Sequence, residues 1–245
     1  PAYLCSRIGE DSASYVKTIQ DWGMNVDFLE RGQGSTARAV VTTDLDGAQI
    51  THFSAGVIGE NAPSFELPRV AVAGDLLLVG PENTKRMLQA LAQGHARGLK
   101  VYFDPGQLIH TFKPEELQNS LEKISALLVN EYEWALFQSI SGLSEAEIFK
   151  KVPLVWITKA SEGVLFVEDR KAQKFPAFTA QVVDPTGAGD AFRAGLLAGL
   201  AKGLGLQEAT QVGIVLAAAS CEHPLAQGYT LKDSAFAELR RLGFE

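Results

Sequence analysis

Short apolar runs alternate with amphipathic stretches along most of the 245-residue chain, which predicts strands separated by helices and hence a parallel sheet covered by those helices. Residues 2–5, 76–79, 101–103, 126–129 and 155–157 read as the strands. Helical patterning covers 13–22, 83–97, 114–123, 131–139 and 145–150, then the stretch from Asp190 to about Lys202, a segment after Leu206, and residues 234–242. One segment breaks the alternation. Residues 37–53, ARAVVTTDLDGAQITHF, are rich in Val, Thr and Ile and centre on Asp46-Gly47, a strong turn signal, so they read as an antiparallel hairpin. Such a hairpin is placed to act as a lid over a site at the carboxyl ends of the strands, and a plain extension of the sheet edge is the open alternative. There is no internal repeat or low-complexity tract.

Composition narrows the class. Hydrophobic residues make up 46% of the chain and charged residues 21%, which is ordinary for a globular protein. The net charge of -7, with no run of Lys or Arg, gives no support to a nucleic-acid surface. Cys5 and Cys221 make neither a disulfide framework nor a zinc-ligand set. No stretch reaches the roughly 18 apolar residues of a membrane span, and no basic segment precedes a short apolar one, so a cytoplasmic protein is expected.

The chemistry concentrates in QVVDPTGAGDAFRAG, residues 181–195. Glycines let backbone amides approach a ligand closely, and a helix starting just after them aims its positive end at the same point. That arrangement attracts an anion. The carboxylate of Asp190 at the helix start opposes an anion unless it serves as a base for a hydroxyl directed at a bound phosphoryl group. Simple helix capping by Asp190 is the bland reading, and it leaves the glycines unexplained. A P-loop is excluded because the loop ends Gly-Asp-Ala rather than Gly-Lys-Ser/Thr, and a dinucleotide fingerprint belongs near the first strand. Arg193, one turn beyond Asp190, either steers phosphate or pairs with a carboxylate on its own helix, the latter being preferred. Glu133 by its position alone reads as an exposed helix residue, Asp184 as a turn former, and His223 as structural or superficial.

DPTGAGDAFRAGLL is similar throughout to the second signature of the PfkB-type, ribokinase-like family of sugar and nucleoside kinases. Further landmarks follow in order: SRIGED near the start, LLVNEYE at 127–133 and ITKASEG at 157–163. The resemblance covers essentially the whole chain, and TTDLDGAQITHF and VYFDPGQ look most like the bacterial adenosine kinase branch. It implies an α/β fold with a doubly wound, mostly parallel sheet flanked by helices, in a single domain over 1–245 with a β-hairpin lid at about 26–58. It implies ATP-dependent phosphorylation of a primary hydroxyl of adenosine or a related nucleoside. A ribokinase- or fructokinase-like sugar kinase is one alternative, an inactive nucleotide-binding relative another, and a Rossmann-type oxidoreductase a distant third.

The resemblance assigns Asp190 as the catalytic base and the amides of Gly187, Ala188 and Gly189 as an anion hole. Asn130 and Glu133 would organise Mg²⁺ and the ATP phosphates, with Thr158, Lys159 and Gly163 in the nucleotide loop. Asp184 would help bind a monovalent cation such as K⁺. Thr36 and Phe53 would belong to the substrate and lid side, Phe53 either stacking on a base or packing inside the flap. The flap edge also offers a surface for pairing with a second subunit. Three features depart from the family pattern. Lys159 stands where glycine is usual, CEHPLAQGYT lacks a glycine at its usual place, and the family's first strand with its substrate-binding aspartate and Gly-Gly segment does not precede PAYLCSRIGED.

Overall fold

Strands that are apolar at nearly every position leave no face for solvent, so helices must cover both sides of the sheet they form. The computed structural model describes residues 2–43, 49–59 and 61–244. The chain divides into two compact units, Pro1–Val70 with Glu82–Gln89, and Ala71–Pro81 with Ala90–Glu245.

In the first unit, β1 (Ser6–Ile8) and β2 (Leu29–Arg31) pair in parallel, with α1 (Ala13–Asp21) between them in sequence. The strand expected at 2–5 therefore lies a few residues later. Tyr3 makes only a single bridge to Asn25, whereas Ser6, Arg7 and Ile8 find partners in Leu29, Glu30 and Arg31, and it is pairing that defines a strand. The hairpin takes the expected antiparallel form: β3 (Arg38–Thr43) pairs with β4 (Gln49–Ser54), Ala39 opposite Phe53. Its Asp46-Gly47 turn lies outside the described residues. Arg86, 1% exposed, organises much of this unit's polar interior. Its guanidinium meets Glu82 at 2.5 Å and Glu30 at 3.2 Å, donates to the Pro63 carbonyl at 2.8 Å, and lies over the Phe65 ring.

The second unit holds a six-stranded sheet in the order β10-β9-β8-β7-β6-β5. Its elements, with α2 (Thr84–Ala96) running from the first unit's residues into the second's, are β5 (Leu76–Val79), β6 (Lys100–Phe103), α3 (Pro114–Ser120), β7 (Ala126–Asn130), α4 (Glu131–Ser141), α5 (Glu145–Lys151), β8 (Leu154–Thr158), β9 (Val164–Glu168), β10 (Lys171–Phe175), α6 (Ala188–Ala201), α7 (Leu206–Cys221) and α8 (Asp233–Arg241). Strands β5 to β8 run parallel, and β9 and β10 are added antiparallel. The β9–β10 hairpin is absent from the sequence reading. Its turn uses Asp169 and Arg170 at positive φ without a glycine, and β10 exposes all but Phe175, so neither turn chemistry nor apolar patterning marks it.

Both faces of the central strands are buried. On one, Tyr102, Ala126, Leu128, Trp156 and Phe166 form a core with Phe192 and Leu196 of α6 and Ala209 and Ile214 of α7. The alternate residues Val101, Phe103, Leu127, Val129, Val155 and Ile157 are equally enclosed. Trp156 donates its indole N–H to the Thr210 hydroxyl at 2.8 Å, which fixes α7 against β8. Gly195 of α6 lies directly against the Gly213 backbone of α7, so the two helices cross closely. No helix among the described residues is long and apolar enough to cross a membrane.

Candidate active site

Gly187 sits in the left-handed region at φ 84°, where a side chain is strained. A Cβ there would also stand 2.7 Å from the Ala226 Cβ. Its carbonyl accepts the first helical bond from Ala191 at 2.9 Å, so α6 starts at Ala188. The helix thus begins two residues before the expected Asp190, because the glycine cap turns the chain early enough for Ala188 and Gly189 to join the first turn. Asp190 is exposed in that turn, where the helix dipole favours a carboxylate. The Ala188 amide closes the preceding turn onto Pro185 at 3.2 Å. Among the described residues, the amides of Gly187, Gly189 and Asp190 have no acceptor within the protein.

Asp184 anchors the other end of the loop. Its Oδ1 accepts from the Thr186 amide at 2.9 Å, and its own amide and that of Val183 donate to the Cys221 carbonyl at the end of α7. Hydrogen bonds from the Thr186 side chain, then from its amide, hold the carboxyl below the usual carboxylate range.

Asn130 and Glu133 cap α4 reciprocally. The Asn130 side chain accepts from the Glu133 amide, and Glu133 Oε2 accepts from the Asn130 amide, each at 2.8 Å. The reading of Glu133 as an exposed helix residue is overturned: it is 4% exposed, because the capping box folds its carboxylate back over the helix start, 3.9 Å from the Arg193 guanidinium. Thr158, at the end of β8, lies opposite Asn130 in the parallel ladder. The ITKASEG loop is a short 3-10 turn over Ala160–Glu162 closed by Gly163, whose carbonyl accepts from the Lys159 amide at 2.8 Å. The Lys159 ammonium pairs with Glu131 at 2.9 Å, which raises its pKa. His223 is half-buried, its Nε2 meeting the Thr230 carbonyl at 3.1 Å and its ring lying 6.2 Å from that of Tyr229.

In the first unit, Thr36 belongs to a compact polar knot. Its amide and hydroxyl donate to Asp11 Oδ1 at 2.8 and 2.7 Å, its hydroxyl accepts from the Gly9 amide at 2.9 Å, and Arg38 pairs with the same carboxylate. The Thr36 bonds, backbone first, hold the Asp11 carboxyl below its usual range. Phe53 is 58% exposed on β4.

Asp104, within VYFDPGQ, is a buried carboxylate at the same strand ends that sequence reasoning did not single out. Arg193 pairs not with its own helix, as expected, but with Asp104 just beyond β6: Nε stands 2.5 Å from Oδ2 and Nη2 donates to Oδ1 at 2.9 Å. Sequence spacing favours local partners, and only the sheet brings residues 104 and 193 together. Asp104 Oδ1 also accepts from the Gly106 amide at 3.2 Å. Burial pushes the Asp104 carboxyl up to about 7 against the pull of Arg193, with Glu133 and Asp190 adding to the rise. The available signal was an Asp-Pro-Gly directly after a buried strand, at the end of the sheet where α/β proteins place their sites.

This arrangement, with unengaged backbone amides near the carboxyl ends of parallel strands, sits on the ribokinase-like α/β fold. A model of the pfkB family of carbohydrate kinases matches residues 1–233. The nucleoside kinase of Methanocaldococcus jannaschii is 30% identical over 224 residues, covering 87% of this chain and 71% of that protein. The Burkholderia thailandensis nucleoside kinase in complex with inosine matches with a TM-score of 0.87 at 28% identity, over 98% of this chain and 80% of that one. The crystal structure of the M. jannaschii nucleoside kinase gives 0.88 at 24% identity, over 98% and 80%, a likeness of fold. The chain belongs to the PfkB family of carbohydrate kinases.

The raised Asp104 pKa has a consequence for stability. Unfolded, the group ionises near the ordinary aspartate value of 3.8, and folded it holds its proton to about 7. Between these values the native state binds the extra proton, so this contribution to stability is fully present below about pH 4 and is lost as pH rises through about 7. Thermal unfolding between pH 5 and 8 should show a shallower decline in Asp104→Asn than in the wild type. Equal slopes would mean that Asp104 is ionised throughout.

Proposed function

We propose that the chain transfers the γ-phosphoryl group of ATP to a primary hydroxyl of a nucleoside, with adenosine the preferred acceptor and Asp190 the base. The observation behind this reading is the exposed Asp190 carboxylate at the head of α6, beside the unengaged amides of Gly187 and Gly189. An acceptor hydroxyl held against Asp190 loses its proton to that carboxylate as its oxygen attacks the γ-phosphorus and the bond from that phosphorus to the bridging oxygen breaks, releasing ADP, while the amides and the helix start stabilise charge on the phosphate oxygens. Of the three amides expected in the anion hole, that of Ala188 already closes a turn, so Gly187 and Gly189 supply the free donors. The family resemblance assigns the β3–β4 hairpin as the lid and Thr36 and Phe53 as its acceptor-side residues.

Among the described residues, no cluster of three or more His, Cys, Asp or Glu side chains could cage a metal. Mg²⁺ carried on the ATP phosphates would be held through one or two protein groups, here Glu133 and Asn130. When bound, the ion neutralises charge on the phosphate oxygens. Thr158, Lys159 and Gly163 border the nucleotide. The ionised Asp184 beside the turn is the group for a monovalent cation.

The nucleoside reading draws on the named nucleoside kinases and on the inosine bound to the Burkholderia protein. Adenosine in particular draws on TTDLDGAQITHF and VYFDPGQ. ATP consumption assayed with adenosine, inosine, cytidine, ribose and fructose tests it. Adenosine should be turned over fastest, and faster turnover of ribose or fructose would assign a sugar kinase instead. The same assay should speed up when K⁺ replaces a bulky organic cation, through ordering of the loop that Asp184 anchors. An unchanged rate would leave Asp184 with its turn role only.

Asp190→Asn keeps the side-chain size and an oxygen near the helix start but cannot accept the proton. We expect kcat to fall about 10² to 10⁴-fold, with ATP affinity unchanged or slightly improved because repulsion of the γ-phosphate is removed. Near-normal kcat in a folded variant would reduce Asp190 to a helix-start carboxylate.

A further inference from the structure

The guanidinium of Arg193 lies against the turn that would hold the transferring phosphoryl group. A Cβ added to Gly189 would stand 2.5 Å from Arg193 Nη1. Gly189 has no positive φ, being the second residue of α6, so its backbone would accept alanine. What alanine would displace is the guanidinium. Arg193 in turn is not free to move aside. Its side chain is 13% exposed, and both edges of the fork used here, Nε and Nη2, face the Asp104 carboxylate, with Glu133 at 3.9 Å beyond. Asp104 is fixed by the end of β6, its amide donating to the Val79 carbonyl at 2.9 Å and its Oδ1 accepting from Gly106.

A continuous chain of contacts thus runs from the sheet through Asp104 and Arg193 to the Gly189 backbone. Arg193 stands one turn beyond Gly189, so the guanidinium that fastens α6 to the end of β6 also lies over a turn whose Gly187 and Gly189 amides are unengaged among the described residues. We propose that Arg193 is a positioning residue for phosphoryl transfer: held by Asp104, it sets the direction of the Gly189 amide and places a positive charge behind it, where the γ-phosphate of ATP would sit. It acts through the backbone and touches neither reactant. This rests on the phosphotransfer reading above. It also accounts for a phosphate being bound next to Asp190, since the guanidinium offsets part of that carboxylate's repulsion.

The test compares affinities for AMP-PNP and ADP by calorimetry, because their ratio isolates the γ-position and needs no turnover. In folded Arg193→Met the ratio should fall about tenfold while ADP affinity stays within about twofold, and kcat should fall about 10- to 100-fold with little change in the acceptor KM. Arg193→Lys keeps the charge opposite Asp104 and secures a folded variant, but an ammonium cannot span the carboxylate as the fork does, so its ratio should be only partly restored. Gly189→Ala should lower the ratio in the wild type and leave it unchanged in Arg193→Met, since the displaced group is then already gone. An unaltered ratio in folded Arg193→Met, a full ratio in Arg193→Lys, or equal effects of Gly189→Ala in both backgrounds would each overturn the inference. A wild type that turns over nucleosides while these variants keep its ratio loses the inference alone. A wild type that binds neither nucleotide loses the phosphotransfer reading together with it.

Discussion

With strands β6, β7 and β8 enclosed by apolar side chains on both faces, polar chemistry has room only where those strands end. Asp104 follows β6, Asn130 ends β7 and starts α4, and Thr158 ends β8, so three successive strands deliver polar groups to one edge. The covering helix α6 brings Asp190 and Arg193 to the same edge because its other side, through Phe192 and Leu196, is committed to the core. Site geometry in this unit is therefore a by-product of how the sheet is covered.

The buried charges at this edge are costly to bring together and more costly to separate. Asp104, Glu133 and Arg193 are all largely withdrawn from solvent, and removing one partner of such a pair typically costs about 3–5 kcal/mol because the other is left uncompensated. An apolar replacement of the whole cluster would often be no less stable. Retaining the charges makes physical sense if their field is used. The raised pKa of Asp104 reflects the same competition, with desolvation outweighing the attraction of Arg193.

The capping box of α4 illustrates how one pair of residues meets two demands. Asn130 and Glu133 satisfy each other's backbone amides, which alone explains their spacing. The same folding-back of Glu133 buries its carboxylate beside Arg193 rather than leaving it in water. Local capping chemistry and the longer-range electrostatic edge are thus built from the same side chain, and a sequence reading that weighs only one of them misplaces the residue.

What the sequence determined by itself is what local backbone chemistry and periodicity encode. The glycine-rich turn, the strands at 76–79, 101–103, 126–129 and 155–157, most of the helices and the antiparallel β3–β4 pair were legible because each follows from turn residues or from apolar spacing within a short window. The long DPTGAGDAFRAGLL signature made the family legible as well. Tertiary structure alone decided the rest. Strand β1 lies where β2 offers partners, β10 forms against β9 despite its polar residues, and α6 begins where Ala226 and the left-handed Gly187 turn the chain. Above all, Arg193 and Asp104 are 89 residues apart, and their meeting depends on the placement of α6 against the sheet. Charge pairs at such separation leave no periodic trace, because the energy that joins them exists only once the apolar core has brought their elements together.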